Sequence, residues 1–186
     1  RLFPEHEFFV LHAGQKIKAL EKNFTEAKEI IEKADALIFS YPVYTFLAPS
    51  QLHRFIELLK EHKPDIKGKY ASQISTSKHF YDITAHKYIE ENAMDLGLRY
   101  IRGLSADMED LLSEKGQEDA RKFFERFLWA MESGVYSEKI AEDRPFVPVA
   151  ATVPKDSTAK KDSKDVVIIT DCTDASSNLA AMIERF

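Results

Sequence analysis

The feature that most constrains the fold is a repeated change of period along the chain. Short apolar runs alternate with segments whose apolar residues recur every three or four positions. Glu7-Phe8-Phe9-Val10-Leu11 reads as a strand and is followed by a polar turn around Gly14 and Gln15. Phe24, Ala27, Ile30, Ile31 and Ala34 then recur at helical spacing, with Asn23 or Thr25 placed to cap them. Ala36-Leu37-Ile38-Phe39 is a buried-type strand, and Leu52, Phe55, Ile56 and Leu59 form a helical stripe that Pro49 introduces. Residues 69–75 form a less apolar strand, and a helix from about 84 to 96 carries Tyr88, Ile89, Ala93 and Leu96 inward and stops at Gly97. Residues 98–104 alternate imperfectly as a strand. A last long helix, from about 118 to 132, buries Phe123, Phe124, Phe127, Leu128 and Met131 and ends at Gly134. Strand and helix taken in turn four times predict an α/β fold, a parallel sheet covered on both faces.

Composition supports a globular chain. With 186 residues, 44% hydrophobic and 31% charged, there is material for one well-packed domain and some length beyond it. The longest apolar runs, such as 166–169, fall far short of the ~20 residues of a membrane-spanning helix, so no membrane partner is expected. The 26 basic and 31 acidic residues leave −5, too mild and too evenly mixed for a nucleic-acid surface. Cys172 is the only cysteine, so this chain alone builds no intrachain disulfide and no all-cysteine metal site. A reducing, cytoplasmic setting is the expectation. The histidines His6, His12, His53, His62 and His86 lack metal-ligand spacing and read as surface residues. Arg1 opens the sequence without a signal-peptide pattern and Phe186 ends it inside an amphipathic run, so a piece of a longer protein is expected.

The loop leaving the 36–39 strand is the first candidate site. Loops off the carboxyl ends of strands are where open α/β sheets bind ligands. Pro42 and Pro49 restrict the backbone at either end, Tyr41, Tyr44 and Phe46 offer flat apolar faces, and Thr45 and Ser50 add hydroxyls. A planar ring with a polar edge suits such a loop; the alternative is a rigid loop whose aromatics complete the core.

The run Asp35-Ala36-Leu37-Ile38-Phe39-Ser40-Tyr41-Pro42-Val43-Tyr44, followed by Pro49, Gln51-Leu52 and Phe55-Ile56, resembles the flavin-contacting strand, loop and helix of the flavodoxin-like NAD(P)H-dependent FMN reductases. His53 departs from the lysine usual there, on what reads as the outer face of the helix. The resemblance implies a flavodoxin-like three-layer sandwich in which the strands of residues 1–136 are the second to fifth, the first strand and its phosphate loop being absent at the N-terminus. It implies FMN and NAD(P)H as cofactors, a small-molecule acceptor and a homodimer. It assigns the flavin ring to Pro42, Val43, Tyr44, Thr45, Phe46 and Leu47, and to Thr76, Ser77 and Lys78 after the next strand, where Ser75-Thr76-Ser77 resembles the family's opening without its glycines. Lys78 and His79 are candidates to steady the N1/O2 side of the reduced ring.

Residues 137–164 hold Pro145, Pro148 and Pro154 and then a nearly all-polar stretch, which reads as a linker. Residues 165–186 read as strand (166–169), hydroxyl-rich loop and helix, with Leu179, Met182, Ile183 and Phe186 on one face. Ser176, Ser177 and Asn178 at the helix start resemble the family's phosphate loop, although its glycine and basic residue are missing and Asp171 and Asp174 oppose an anion; an ordinary capped helix is the equal alternative. This unit opens a second flavodoxin-like domain, or its strand docks beside 36–39. The expected function is an FMN-dependent oxidoreductase that reduces quinone- or flavin-type acceptors with NAD(P)H. An FMN-carrying electron-transfer module and a degenerate flavodoxin-like domain kept for protein contact are the alternatives.

Overall fold

A computed structural model describes residues 3–78, 81–138, 167–170, 174 and 177–183. Two compact units, 1–142 and 143–186, divide the chain. In the first unit the elements run α1 (Ala13–Lys22), α2 (Thr25–Lys33), β1 (Ala36–Pro42), α3 (Ser50–His62), β2 (Tyr70–Ser77), α4 (Ile83–Asp95), β3 (Arg99–Tyr100), β4 (Leu104–Asp107), a 3₁₀ turn (Asp110–Leu112) and α5 (Glu114–Ser133). The second unit shows α6 (Asn178–Ile183).

The sheet is parallel, with β2 in the middle, β1 on one side and β3 and β4 on the other. Alternation along the strands builds two cores. Phe39, Tyr41 and Ala71 face one way and pack with Phe24, Ala27, Ile31, Phe55, Ile56, Leu59, Ala85 and Ile89 of the segments around α2, α3 and α4. Ala36, Ile38 and Tyr70 face the other way, against Phe124, Phe127, Ala130 and Met131 of α5. Helices therefore cover both faces, as the period changes require. Fully buried side chains such as Ile56, Leu59 and Ile89 each contribute about 1.5–3 kcal/mol of transfer free energy.

Several expectations need correction. Residues 7–11 form no strand: the Phe8 ring lies 5.5 Å from Phe124 and Leu11 packs against the first core, while Phe9 and Val10 are more than half exposed. An apolar run becomes a strand only where a neighbouring edge accepts its backbone groups. The turn expected near Gly14 lies inside α1, which is amphipathic but buries no residue completely and is tied to α3 by Glu21 and Arg54, 2.8 Å apart. His53 is not on a free outer face; it stacks on Tyr88 of α4 with ring centroids 4.0 Å apart. In the second unit, residues 167–170 take no strand, and Val167 and Ile169 are 84% and 95% exposed. Among the described residues β1 pairs only with β2. Most of the expected linker, 139–164, and Val166 and Phe186 lie outside the described residues.

The strand expected over 98–104 is two short strands separated by a bulge. Ala71 faces Tyr100 and Ile74 faces Leu104, three steps along β2 against four on the partner. Gly103 marks this place: a Cβ there would stand 2.4 Å from both Cγ and the carbonyl oxygen of Gln73, so the close approach of the chains requires glycine. Tyr100 and Ser105 are an odd number of positions apart and would point to opposite faces of a regular strand. The extra residue brings both to the face covered by α4.

Candidate functional site

β1 delivers its loop to the carboxyl end of the sheet. The Val43 N–H donates to the Thr76 carbonyl at 2.8 Å, continuing the ladder past Pro42, and the chain then turns back on itself. Tyr44 and Leu47 exchange two backbone hydrogen bonds of 3.0 Å. The central residues of that turn, Thr45 and Phe46, have φ of 50° and 70°. Positive φ at both positions is the habit of tight hairpin turns, normally filled by Asn and Gly. Here a β-branched and an aromatic residue occupy them, at a cost of roughly 1–2 kcal/mol each. Strain of this kind persists where the surroundings over-determine the backbone, and it gathers at ligand sites. The result is a rigid turn that holds its apolar side chains outward: Tyr44 is 64% and Phe46 53% exposed.

β2 ends beside this turn, with Pro42 in register with Thr76. Ser77 is buried, and its hydroxyl has no hydrogen-bond partner among the described residues. Lys78 is exposed, and Tyr81 meets Phe46 edge to face at a centroid separation of 5.7 Å. His79 lies outside the described residues. The six positions assigned to the first loop and Thr76, Ser77 and Lys78 of the second thus share one end of the sheet. Ser176, Ser177 and Asn178 belong to the other unit, and of these Ser176 and the Asn178 side chain lie outside the described residues. The Ser177 hydroxyl accepts the Ala180 N–H at 3.1 Å, the geometry of an ordinary helix cap.

Two polar networks below the loops escaped the sequence reading. Gln73 is fully buried; its Oε1 accepts from the Tyr41 hydroxyl, and its Nε2 donates to the Tyr100 hydroxyl and, at 3.0 Å, to the His86 carbonyl. Burial, with the Tyr100 hydroxyl and the Asp82 carboxylate nearby, pushes the Tyr41 phenol well above its usual value. Tyr100 is raised by burial too, partly opposed by its bond with Gln73. The second network centres on Asp82, whose Oδ2 accepts from Ser75 Oγ at 2.9 Å and from Ser105 Oγ. His86 Nε2 lies 2.7 Å from Ser75 Oγ and 3.3 Å from Asp82 Oδ2. Since the one serine proton goes to Asp82, Nε2 carries the proton that binds Ser75. Burial holds the His86 imidazole below its usual value, with Asp82 opposing and Arg102 assisting. The only sequence signal for these groups was polarity in the middle of a strand, at Ser72, Gln73 and Ser75.

The two carboxyl-end loops fit the ring portion of a flavin. They offer exposed aromatic faces on a fixed backbone and, in Ser77, an orphaned buried hydroxyl whose partner a ring edge can supply. Among the described residues no group of three or more His, Cys, Asp and Glu is arranged to hold a metal, and no helix is long and apolar enough to cross a membrane.

Residues 4–105 match the family described as NADPH-dependent FMN reductase. Among solved structures, an NADH:FMN oxidoreductase in its apo form superposes with a TM-score of 0.52 at 17% identity, over 70% of this chain and 70% of that one. FerB, a flavoenzyme NAD(P)H:(acceptor) oxidoreductase from Paracoccus denitrificans, is similar over 72% of this chain and 83% of its own, at 21% identity and TM-score 0.49. A flavodoxin, WrbA-like protein from Agrobacterium tumefaciens is similar over 59% and 73%, at 19% identity and TM-score 0.49. Comparison with curated proteins finds no match. The structural likeness concerns the fold, which the first of these superpositions carries; the family match spans more than half of the 186 residues and includes the proline loop and β2 with its carboxyl-end serines. The chain belongs to the NADPH-dependent FMN reductase family, flavin-dependent oxidoreductases, and it has the open parallel sheet of flavodoxin-like folds.

Proposed function

We propose that the protein draws electrons from NAD(P)H through FMN and passes them to a small planar acceptor of the quinone or flavin type. The observation that carries this reading is the strained turn 44–47, which holds Tyr44 and Phe46 exposed on a fixed backbone at the carboxyl end of the sheet. Rigid, outward apolar rings are a surface prepared for another ring. Tyr81, which meets Phe46 edge to face, and Ile83, Met108 and Leu112, each more than half exposed, follow β2 and β4 at the same end of the sheet.

Bound FMN supplies the hydride-accepting chemistry. The chain's part is placement. Tyr44 and Phe46 offer stacking faces, each worth about 0.5–1.5 kcal/mol beyond burial. Ser77 offers its hydroxyl to the ring edge, and Lys78 brings a positive charge to the end where negative charge gathers on reduction. No acid–base pair of the protein is needed for this role. Of the three residues assigned to the phosphate end of the cofactor, Ser177 already caps its own helix.

FMN titration of the full chain against the variant Tyr44→Ala/Phe46→Ala tests the site. Affinity falls about tenfold if both rings stack on the flavin, and an unchanged affinity overturns the placement. Rapid bleaching of the bound flavin by NAD(P)H in stopped flow supports the reductase. Reduction only by a partner protein marks an electron carrier instead, and failure of the full chain to bind FMN marks a domain kept for protein contact.

A further inference from the structure

Asp82 occupies the N-cap of α4, a position where aspartate normally accepts the backbone N–H groups of its own first turn. It makes no such bond. Its buried carboxylate instead takes the hydroxyls of Ser75 on β2 and Ser105 on β4, with His86 Nε2 at 3.3 Å. A cap given up for two serines on neighbouring strands points to a purpose other than starting the helix. The next residue toward the loop is Tyr81, whose ring packs against Phe46 of the strained turn. Asp82 is therefore where the chain returning from the second loop is fastened to the sheet, one residue from the contact that joins the two loops.

The fastening depends on the bulge. Ser105 reaches Asp82 because the extra residue between Tyr100 and Leu104 turns it to the α4 face, and the bulge depends on Gly103. No glycine occurs between Gly68 and Gly97, so this second loop is not shaped by glycine turns and needs side-chain ties.

We propose that Asp82 is a positioning residue for the flavin site: by bridging Ser75 and Ser105 it sets Tyr81 against Phe46 and so holds the two ring-facing loops in one arrangement. The proposal rests on the flavin reading above for its consequence, but the arrangement itself is a property of the protein alone. Two outcomes are therefore measured on the full chain. One is the nuclear Overhauser contact between the Tyr81 and Phe46 rings without cofactor; the other is the dissociation constant for FMN, taken well below the unfolding temperature.

In Asp82→Asn and Ser105→Ala the ring contact is lost and FMN binds about tenfold more weakly, the size expected for losing a charge-assisted hydrogen bond that orients the site. Ser105→Thr, which keeps the hydroxyl, restores both. A purely structural role predicts a lower unfolding temperature with the ring contact and the FMN constant unchanged, and that result overturns the proposal. Should an Asp82 variant fail to fold, the Ser105 pair decides alone. If the wild-type chain shows the ring contact yet binds no FMN, the flavin reading falls, while the bridge is still judged on the contact in the Ser105 variants.

Discussion

His86 shows how a single residue's setting becomes a property of the protein. Its ring is half-buried between Ser75 and Asp82; burial lowers its proton affinity below the usual 6.5, Arg102 lowers it further, and Asp82 and Glu90 pull the other way. A histidine whose folded value is lowered favours the unfolded state in acid, because the unfolded chain takes up the proton first. Its contribution is complete above about pH 6.5 and is lost as the pH falls through that value toward the lower folded one. The unfolding temperature should therefore drop between about pH 7 and pH 5, and His86→Gln should flatten part of that slope. An NMR titration placing the His86 midpoint at or above the ordinary histidine value would sink the account. The sequence read this histidine as one of several scattered surface residues, because nothing local tells that α4 will bring it over Ser75. It likewise showed a proline-bounded aromatic loop but not the positive φ at Thr45 and Phe46, since neither residue is a turn former.

At the scale of elements, strand β3–β4 carries the most consequence. Its imperfect alternation over 98–104 was visible in the sequence; the bulge that explains it was not, because a bulge is defined by what the neighbouring strand does. Gly103→Ala should destabilise the protein by about 1–3 kcal/mol, the usual cost of forcing atoms into a packed site. Equilibrium denaturation measures this, and a nearly neutral substitution would show that the strands can separate locally to accept a Cβ. Helices followed their patterns more closely: α3, α4 and α5 appear at Ser50–His62, Ile83–Asp95 and Glu114–Ser133, where apolar residues recur at helical spacing. α1 was missed because its stripe of Ala13, Ile17 and Leu20 is thin and only partly buried.

For the whole first unit, the main fact is the asymmetry of the sheet. Among the described residues β2 has neighbours on both sides, whereas β1 has one. Parallel sheets ordinarily bury their strands in the middle, and an open edge offers unpaired N–H and C=O groups to any strand that arrives. Amide exchange should therefore be slowest in β2 and should divide β1 into two classes, those N–H groups directed at β2 being protected and those on the outer edge exchanging fast. Uniform protection along β1 would mean that another segment or another chain covers the edge in solution.

The sequence by itself determined the class of fold and the presence of a proline-bounded aromatic loop after a buried strand. Changes of period separate strands from helices by local geometry, and prolines and aromatics after a buried strand mark a loop whatever the rest of the chain does. Only the tertiary structure decided which apolar runs become strands: residues 7–11 and 167–170 have the composition, but a strand exists only with a partner for its backbone groups, and none pairs with them among the described residues. The structure also decided the polar interior. Tyr41, Gln73 and Tyr100, and likewise Ser75, Asp82, His86 and Ser105, lie on separate elements, and their meeting follows from the register of three strands and one extra residue at Gly103.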